Sequence, residues 1–404
     1  MDRMGAKRFS MEVMAAFTVL AWSCGGPVEL DRPIRDTGRT EQGGSEEQKK
    51  QKSLYVTGVE YAEGYDWRPD LGCSADNCKV FLMKDGTRIM EVDVGYSACI
   101  SADADMHRCI EGHLYTDFST DMETVIKRDG AELFRYFGRE MIARMVVRDD
   151  GIYTLGQPRS GSGWTYRKNG EILLHKGSGN LVSGLYEDLG KLYFSYEDYI
   201  GTPSGTVTRY YMVENTIPTA IQTTDDIIKI DDIRMIEGTL YYTAQLRNIS
   251  PTVLFCGPDC RSYEMGSGTS MRNCRIIYSS GEIFTHGEVY VGGRYEDWFW
   301  KGTERISRAT YPLKAIGWCS DPDYIYYAAS TTASGAGSAI FDGHEIVSQP
   351  VHYDFLYANA IGADAGRCCA GLVSNLAGNR PALWFDGKIT DYGFNGAFTS
   401  VSYW

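Results

Sequence analysis

Residues Asp149 to Gly177, DDGIYTLGQPRSGSGWTYRKNGEILLHKG, contain one copy of a unit that recurs along the chain. In this copy a short apolar strand around Tyr153 follows an Asp-Gly turn, and a second strand at 164–166 follows a Gly/Ser loop. The dipeptide Asn169-Gly170 predicts a tight hairpin, because a type I′ turn requires positive φ at both central residues. The unit therefore predicts short antiparallel strands joined by turns and one polar loop.

The unit can be followed through the residue that takes the position of Tyr153 in each copy. These anchors are Tyr55, Tyr115, Tyr153, Tyr193, Tyr241, Phe284, Tyr326 and Cys368. Subtracting neighbouring residue numbers gives spacings from 38 to 60 residues. A repeat of about 40–50 residues with four short strands is typical of a β-propeller blade. We therefore expect an all-β β-propeller with eight four-stranded blades, and seven blades is the alternative if the first and last copies are shared differently.

Two further features repeat with the anchors. A small residue often follows three positions later, as at Gly58, Gly156, Ala244, Gly287, Ala329 and Gly371. A turn with Gly or Asn follows in each copy, as at Asp85-Gly86, Asp129-Gly130, Asn169-Gly170 and Asn215. The first copy is stretched by an insertion at 62–77, and the fourth carries a predicted loop at 200–205.

The two ends of the repeat region are complementary. The segment Leu54 to Gly58 corresponds to the second strand of a unit whose first strand is missing, and Ala397 to Trp404 forms a strand with no successor. Pairing the two would remove the exposed edges of an open array. We therefore predict one domain over 53–404, closed by the N- and C-terminal strands.

Bulk composition restricts the classes of partner. The chain has 404 residues and a net charge of −13, and a basic face for phosphate binding is not expected. Nucleic acid is therefore not a predicted partner. No apolar run of 18 residues follows the N-terminal region, so no membrane span is expected in the rest of the chain.

The N-terminus reads as an export signal. Residues 1–24 combine three basic residues with a short apolar core and end in Leu20-Ala21-Trp22-Ser23-Cys24, a relaxed lipobox that predicts lipidation of Cys24. An ordinary secretory signal with an incidental cysteine is the alternative. Residues 25–52 contain few apolar residues and no periodicity, which predicts a disordered tether. We therefore expect an extracytoplasmic lipoprotein at the outer membrane or cell surface, contacting the membrane through its lipid only.

The repeat also resembles a known family. The copies Tyr55-Val56-Thr57-Gly58 and Thr165-Tyr166-Arg167-Lys168-Asn169-Gly170 are similar to the YVxG…WKNG repeat of β-propeller lipoproteins from Bacteroides-like bacteria. The resemblance covers essentially 53–404. It implies the propeller architecture and the lipid anchor, and it implies no catalytic residue. The extra cysteines and the first insertion depart from the family pattern.

The cysteine count fits an exported chain. Of 11 cysteines, ten remain beside Cys24. An even number in an oxidising compartment predicts disulfides. Three pairs are close enough in sequence to close local loops: Cys73-Cys78, Cys99-Cys109 and Cys256-Cys260. Zinc binding at the first pair is a weaker alternative, because no second ligand pair accompanies it. No metal and no cofactor is predicted.

Acidic clusters are the candidates for chemistry. Asp103, Asp105 and His107 could bind a cation, and Asp225, Asp226, Asp231 and Asp232 could pair for glycoside hydrolysis. A solvated turn and a hairpin connection into the strand at 233–236 are the favoured interpretations of the two clusters. No nucleophile elbow, zinc-protease or phosphate-loop motif occurs. The sequence therefore does not decide whether the protein is an enzyme, and it favours a protein without catalytic activity.

Aromatic residues in or beside connections are the better functional signal. Aromatic faces stack on sugars and on peptides. The candidates for ligand binding are Tyr65, Trp67, Trp164, Tyr199 and Trp298. Packing between blades is an equally weighted alternative for several of them. The sequence thus predicts a non-catalytic binding module for a glycan or a surface protein; the alternatives are a glycoside hydrolase or polysaccharide lyase, and a structural subunit of a surface uptake complex.

Overall fold

The computed structural model describes residues 52–61, 78–94, 107–119, 122–158, 162–203, 205–221, 227–246, 252–256, 261–264, 271–279, 282–291, 293–301, 304–308, 313–321, 324–331, 338–341, 346–348, 357–364, 367–374, 380–385 and 388–404. The described residues contain strands and no helix. Cys24, the export signal, the residues of the predicted tether before Lys52, and Tyr65, Trp67, Cys73, Cys99 and Cys260 lie outside them.

The strands of the first half of the chain are regular and short. They are β1 (Leu54–Tyr61), β2 (Cys78–Lys84), β3 (Thr87–Val94), β4 (His107–Ile110), β5 (His113–Ser119), β6 (Glu123–Arg128), β7 (Ala131–Phe137), β8 (Glu140–Arg148), β9 (Gly151–Pro158), β10 (Trp164–Lys168), β11 (Glu171–Lys176), β12 (Asn180–Asp188), β13 (Lys191–Thr202), β14 (Gly205–Glu214) and β15 (Ile217–Ala220).

The second half continues the same pattern. Its strands are β16 (Ile227–Ile236), β17 (Thr239–Leu246), β18 (Thr252–Cys256), β19 (Arg261–Glu264), β20 (Met271–Ser279), β21 (Glu282–Val291), β22 (Arg294–Lys301), β23 (Glu304–Arg308), β24 (Leu313–Asp321), β25 (Tyr324–Thr331), β26 (Ser338–Phe341), β27 (Ile346–Ser348), β28 (Tyr357–Asp364), β29 (Arg367–Ser374), β30 (Arg380–Phe385), β31 (Lys388–Asp391) and β32 (Gly396–Tyr403).

These strands form four-stranded antiparallel sheets, as the repeat predicts. Within the described residues there are eight, seven of them built from four consecutive strands, beginning β4-β5-β6-β7 and ending β28-β29-β30-β31. The remaining sheet has the order β3-β2-β1-β32. Each anchor residue lies in the second strand of its sheet, so the sequence period identified the sheets correctly.

The first and last described strands meet in that remaining sheet. β1 and β32 pair antiparallel, with Leu54 opposite Tyr403 and Val59 opposite Ala397. The Thr57 hydroxyl lies 2.8 Å from the Thr399 hydroxyl and 2.6 Å from the Ser400 hydroxyl. The backbone adds two hydrogen bonds between residues 53 and 404.

The hydrophobic core is divided between neighbouring sheets. One cluster joins the sheet of β9 and β10 to the next through Leu155, Trp164, Tyr166 and Phe194. Another joins the sheets of β1 and β29 through Phe81, Cys369 and Phe398. Burial of apolar surface between sheets is the main stabilising term in such an array.

Candidate functional site

The strand order separates two kinds of connection. In every antiparallel four-stranded sheet, the first-to-second and third-to-fourth connections lie at one edge, which we call the tight-turn edge. There the connections are two residues long, except for two of four residues at 257–260 and 342–345. The other connections lie at the opposite edge, called the long-loop edge, and include 62–77 and 95–106. Loops of variable length on a regular scaffold commonly carry binding residues.

The described site at the long-loop edge is built on the hairpin of β13 and β14. β13 has 12 residues, the longest strand in the described part of the chain. Its pairing with β14 continues through Ile200 opposite Val207 to Thr202 opposite Gly205. The sequence predicted a loop at 200–205, whereas the ladder continues almost to the hairpin end. The β-branched residues of both strands favour this extension.

Tyr199 is the exposed aromatic residue on this hairpin. Its side chain is 47% exposed. Its hydroxyl donates to Glu197 Oε1 at 2.5 Å, and Asn180 Nδ2 donates to the same oxygen at 2.8 Å and to Tyr199 Oη at 2.9 Å. The hydrogen bond to Glu197 raises the pKa of Tyr199. The ring is therefore held in one orientation while much of it faces solvent.

The opposite face of the same strand carries a charged residue, Asp198. Lys176 Nζ lies 2.7 Å from Asp198 Oδ2, and Ser178 Oγ lies 3.4 Å from Asp198 Oδ1. Successive residues of a strand point to opposite sides, so Glu197 and Tyr199 share one face and Asp198 lies on the other. The face of Tyr199 combines an aromatic surface with an amide and a carboxylate, which are the groups that bind sugar rings and their hydroxyls.

Sequence reasoning identified Tyr199 but not its partners. Asn180 and Glu197 are 17 positions apart, and the β12–β13 register brings them opposite one another. The relevant signal is the alternation of residues along both strands. The alternation alone does not give the register, because β12 contains bulges that shift the pairing with β13.

The structure places the two described tryptophans of the predicted ligand set in the interior. Trp164 is 3% exposed and packs on Phe194 and Tyr196, with ring centroids 5.0 and 4.7 Å apart. Trp298 is 8% exposed, lies within β22 rather than beside a connection, and packs with Trp300. Both tryptophans therefore pack between sheets, which was the alternative to ligand binding.

The acidic candidates at 231 and 232 lie inside β16. The sequence favoured a connection here, whereas both aspartates lie in the strand beside a bulge between Ile230 and Asp232. Asp231 contacts Lys229 Nζ at 2.7 Å and accepts from Gln245 at 2.9 Å. Asp232 accepts from the backbone N–H groups of Ile233 and Ile276, both at 3.0 Å. Asp231 therefore pairs within its own sheet, whereas Asp232 links its sheet to the sheet of β20. Asp225 and Asp226, like Asp103 and Asp105, lie outside the described residues.

Cys109, Cys274 and Cys369 are the cysteines whose side chains the structure describes, and all three are buried. Cys109 is a thiol in β4, and burial raises its pKa to about 11. Since Cys99, Cys73 and Cys260 are not described, the three disulfides stay predictions. Across the described ranges, no three His, Cys, Asp or Glu side chains are grouped so that they could hold a metal ion. Within the same ranges no helix is long and apolar enough to cross a membrane.

Comparisons with known proteins provide information about the fold of this chain and none about its activity. No protein-family model and no curated protein sequence matches the chain. Among solved structures the chain is similar to dihydro-heme d1 dehydrogenase NirN, with 9% identity and a TM-score of 0.54, over 86% of this chain and 74% of that chain. The series of four-stranded antiparallel sheets indicates a β-propeller fold. At 9% identity the similarity carries no information about activity.

Weaker similarities involve peptidases. A puromycin-hydrolyzing peptidase of Mycobacterium tuberculosis has 9% identity and a TM-score of 0.49, over 72% of this chain and 53% of that chain. The β-propeller domain of the Trilobed protease from Pyrococcus furiosus has 10% identity and a TM-score of 0.42, over 69% and 93%. The chain spans about half the length of the first of these.

Proposed function

We propose that this chain is an eight-bladed β-propeller that acts as a non-catalytic binding module, with a glycan or a surface protein bound at the long-loop edge. A lipid on Cys24 holds it outside the cytoplasm, at the outer membrane or cell surface. The observation that carries the binding role is the exposed ring of Tyr199, fixed by Glu197 and Asn180 on an extended hairpin.

Eight blades and closure are supported by contacts between first strands. These contacts follow the chain from β8 to β12, β16, β20, β24, β28 and β32. β32 also contacts β4, and β5 of the same sheet contacts β8. A series of neighbours that returns to its start is what a closed ring requires, with β1 and β32 as the joining strands.

The binding role is tested by a glycan array with the purified chain and the Tyr199→Ala variant. We expect the wild type to bind a limited set of glycans and Tyr199→Ala to lose most of that binding, since a stacked ring contributes about 0.5–1.5 kcal/mol beyond the apolar area that it buries. Tyr290→Ala is the matched control, because Tyr290 is a 45% exposed tyrosine near the long-loop end of another sheet.

A blank array would contradict glycan binding and favour the structural subunit. Release of reducing sugars from a bound polysaccharide would instead favour the hydrolase. Equal loss of binding in both tyrosine variants would remove the assignment to the Tyr199 surface.

The anchor is tested separately. Expressed with its N-terminus in a bacterium that processes lipoproteins, the chain should incorporate labelled fatty acid, and Cys24→Ser should not. A wild-type chain that is secreted without lipid would support the ordinary secretory signal.

A further inference from the structure

A second site lies at the tight-turn edge, between the sheets of β9 and β13. It is a cleft of about 420 Å³, lined by residues that include Arg148, Tyr166, Lys168 and Leu173 from one sheet and Asn215 from the next. Pockets that hold small molecules have volumes of roughly 300–1,000 Å³. The cleft is therefore large enough for one sugar residue and small for an oligomer.

The charge of the cleft differs in sign from that of the chain. Arg148 and Lys168 are cationic, and Asp150 is the carboxylate among the lining residues. Lys168 Nζ lies 2.8 Å from Asp150 Oδ2, and the Tyr153 hydroxyl donates to the same oxygen at 2.7 Å. Since one carboxylate balances one cation, the cleft keeps a positive charge on a protein whose net charge is −13.

Two donors in the cleft make no hydrogen bond to a protein acceptor within the described part of the chain, although Arg148 forms a long ion pair with Asp150. The Arg148 guanidinium approaches Asp150 Oδ1 to 3.7 Å, which is longer than a hydrogen bond. Within the described part of the chain no hydrogen bond involves that guanidinium or the Tyr166 hydroxyl. Tyr166 is only 1% exposed, yet it lines the cleft. Because the ring is buried and the hydroxyl lies in the lining of the cleft, the hydroxyl can donate a hydrogen bond to a group bound there.

The remaining lining groups suit a ligand with hydroxyls as well as an anion. Asp150 Oδ1 has only the long ion pair with Arg148 at 3.7 Å, and hydrogen bonds from Lys168 and Tyr153 to Oδ2 lower the pKa of this carboxyl to about 2. It is therefore an ionised acceptor at neutral pH. Asn215 uses Oδ1 to accept from Leu192 N at 3.1 Å, which leaves its amide N–H groups as donors. Leu173 adds an apolar wall.

We propose that this cleft binds a uronic acid or another monosaccharide-sized carboxylate, with the carboxylate between Arg148 and the Tyr166 hydroxyl. Ligand hydroxyls face Asp150 and Asn215, and the ring lies along Leu173. The site is independent of the Tyr199 surface, because it lies at the opposite edge.

The test is calorimetric titration of the full-length chain at pH 7 with sodium glucuronate, glucose and sulfate. We expect glucuronate to bind with a Kd of about 1 mM or lower and glucose to bind about tenfold or more weakly. Arg148→Gln should weaken glucuronate binding about tenfold or more, and Tyr166→Phe about threefold to tenfold. The control is Arg135→Gln, an equal loss of charge at an exposed outer strand, and it should have no effect.

Several results would overturn the proposal. They are no detectable glucuronate binding to the wild type, equal affinity for glucose, or full affinity in both Arg148→Gln and Tyr166→Phe. Equal affinity for sulfate would show that the cleft takes an oxyanion from any source, and the sugar assignment would fail. Thermal unfolding of each variant establishes that the fold is retained; Tyr166→Phe keeps the buried ring if Arg148→Gln is destabilised.

Discussion

At the scale of single residues, the turn Asp and Asn of the repeat have a role beyond their backbone conformation. Their side-chain oxygens accept hydrogen bonds from the start of the second strand: Asp85 from Leu54 N, Asp129 from Leu114 N, Asn169 from Ile152 N and Asn215 from Leu192 N, at 2.8, 2.9, 2.9 and 3.1 Å. All four have positive φ, between 47° and 53°. The residue therefore joins the third-to-fourth turn to the second strand as well as forming the turn.

Removing this link at Asn169 should destabilise the chain. Asn169→Ala loses the acceptor for Ile152 N and places an alanine at φ 49°, so we expect a loss of about 1–3 kcal/mol in the free energy of unfolding, measured with urea. Asn169→Asp keeps the acceptor and should cost less than half as much. Equal destabilisation by both changes would show that the hydrogen bond is unimportant.

The small residue three positions after the anchor gives room to a neighbouring side chain. At Gly156 an added Cβ would lie 2.6 Å from Glu140 Oε2. Glu140 and Arg167 form a buried ion pair at 2.8 Å, and the Arg167 guanidinium lies 3.9 Å from the centroid of the Tyr136 ring. Breaking a buried pair is costly, because one charge is left without a partner.

Gly156→Ala should therefore cost about 1–3 kcal/mol of unfolding free energy. Gly201→Ala is its control, because no heavy atom lies within 4 Å of a Cβ built there. Equilibrium denaturation of the two variants makes the comparison. A Gly156→Ala variant as stable as Gly201→Ala would mean that the ion pair moves freely.

A buried carboxyl should make stability depend on pH. Asp117 is 2% exposed, and its oxygens have no hydrogen-bond partner among the described residues. Burial raises the pKa of Asp117 to about 8, although Arg108 acts in the opposite direction. Between the ordinary pKa of about 4 and this value, the folded chain keeps a proton that the unfolded chain releases.

The contribution of Asp117 to stability is thus complete below about pH 4 and is lost as the pH rises to about 8. Relative to Asp117→Asn, the wild type should lose on the order of 1 kcal/mol per pH unit across this window, seen by urea denaturation at several pH values. Parallel profiles for the two proteins would contradict the raised pKa. Asp150, with a lowered pKa at the surface, should contribute nothing in this range.

At the scale of elements, the first strand of most sheets carries an irregularity that the repeat did not predict. Register shifts occur in β8 between Ile142 and Arg144, in β24 between Ala315 and Gly317, and in β28 between Ala358 and Ala360. β12, β16, β20 and β32 have comparable shifts. A bulge adds twist and redirects side chains. The first strands therefore bend where they contact neighbouring sheets. Register shifts also occur in fourth strands, namely β3, β7, β11, β23 and β27.

Packing between sheets gives an element-scale prediction. Trp164→Ala should cost about 3–5 kcal/mol of unfolding free energy, because a buried ring between two sheets is removed. Tyr199→Ala should cost less than about 1 kcal/mol, since that side chain is half exposed. Denaturant unfolding distinguishes them. Similar small costs would return Trp164 to the list of ligand-binding candidates.

At the scale of the whole molecule, the pairing of β1 with β32 is expected to determine stability. Truncation after Asn395 removes β32, including the buried Phe398, and leaves the edge of β1 unpaired. We expect the truncated chain to lose cooperative unfolding, measured by circular dichroism, and to aggregate, measured by light scattering. Removal of residues 1–51 is the control and should leave the melting temperature unchanged. A soluble, cooperative C-terminal truncation would contradict ring closure by this strand.

The pattern of the repeat was sufficient to predict the turns and the second strands of the sheets. Anchor spacing, Asp/Asn-Gly turns and small residues at fixed offsets are properties of neighbouring residues, so they identify second strands such as those around Tyr153 and Tyr193 without knowledge of the rest. The short range of these interactions is the reason they can be read in order along the chain.

Other properties arise only when the sheets pack together. Trp164 and Tyr199 are both aromatic residues near long loops, yet one is buried against Phe194 and the other is exposed beside Asn180. Asp231 reads as a connection residue, yet it lies in a strand beside a bulge, and the cleft at Arg148 joins two sheets. Burial, register shifts and charge pairing depend on residues distant in sequence. They are set by which faces meet, and strand periodicity contains no such information.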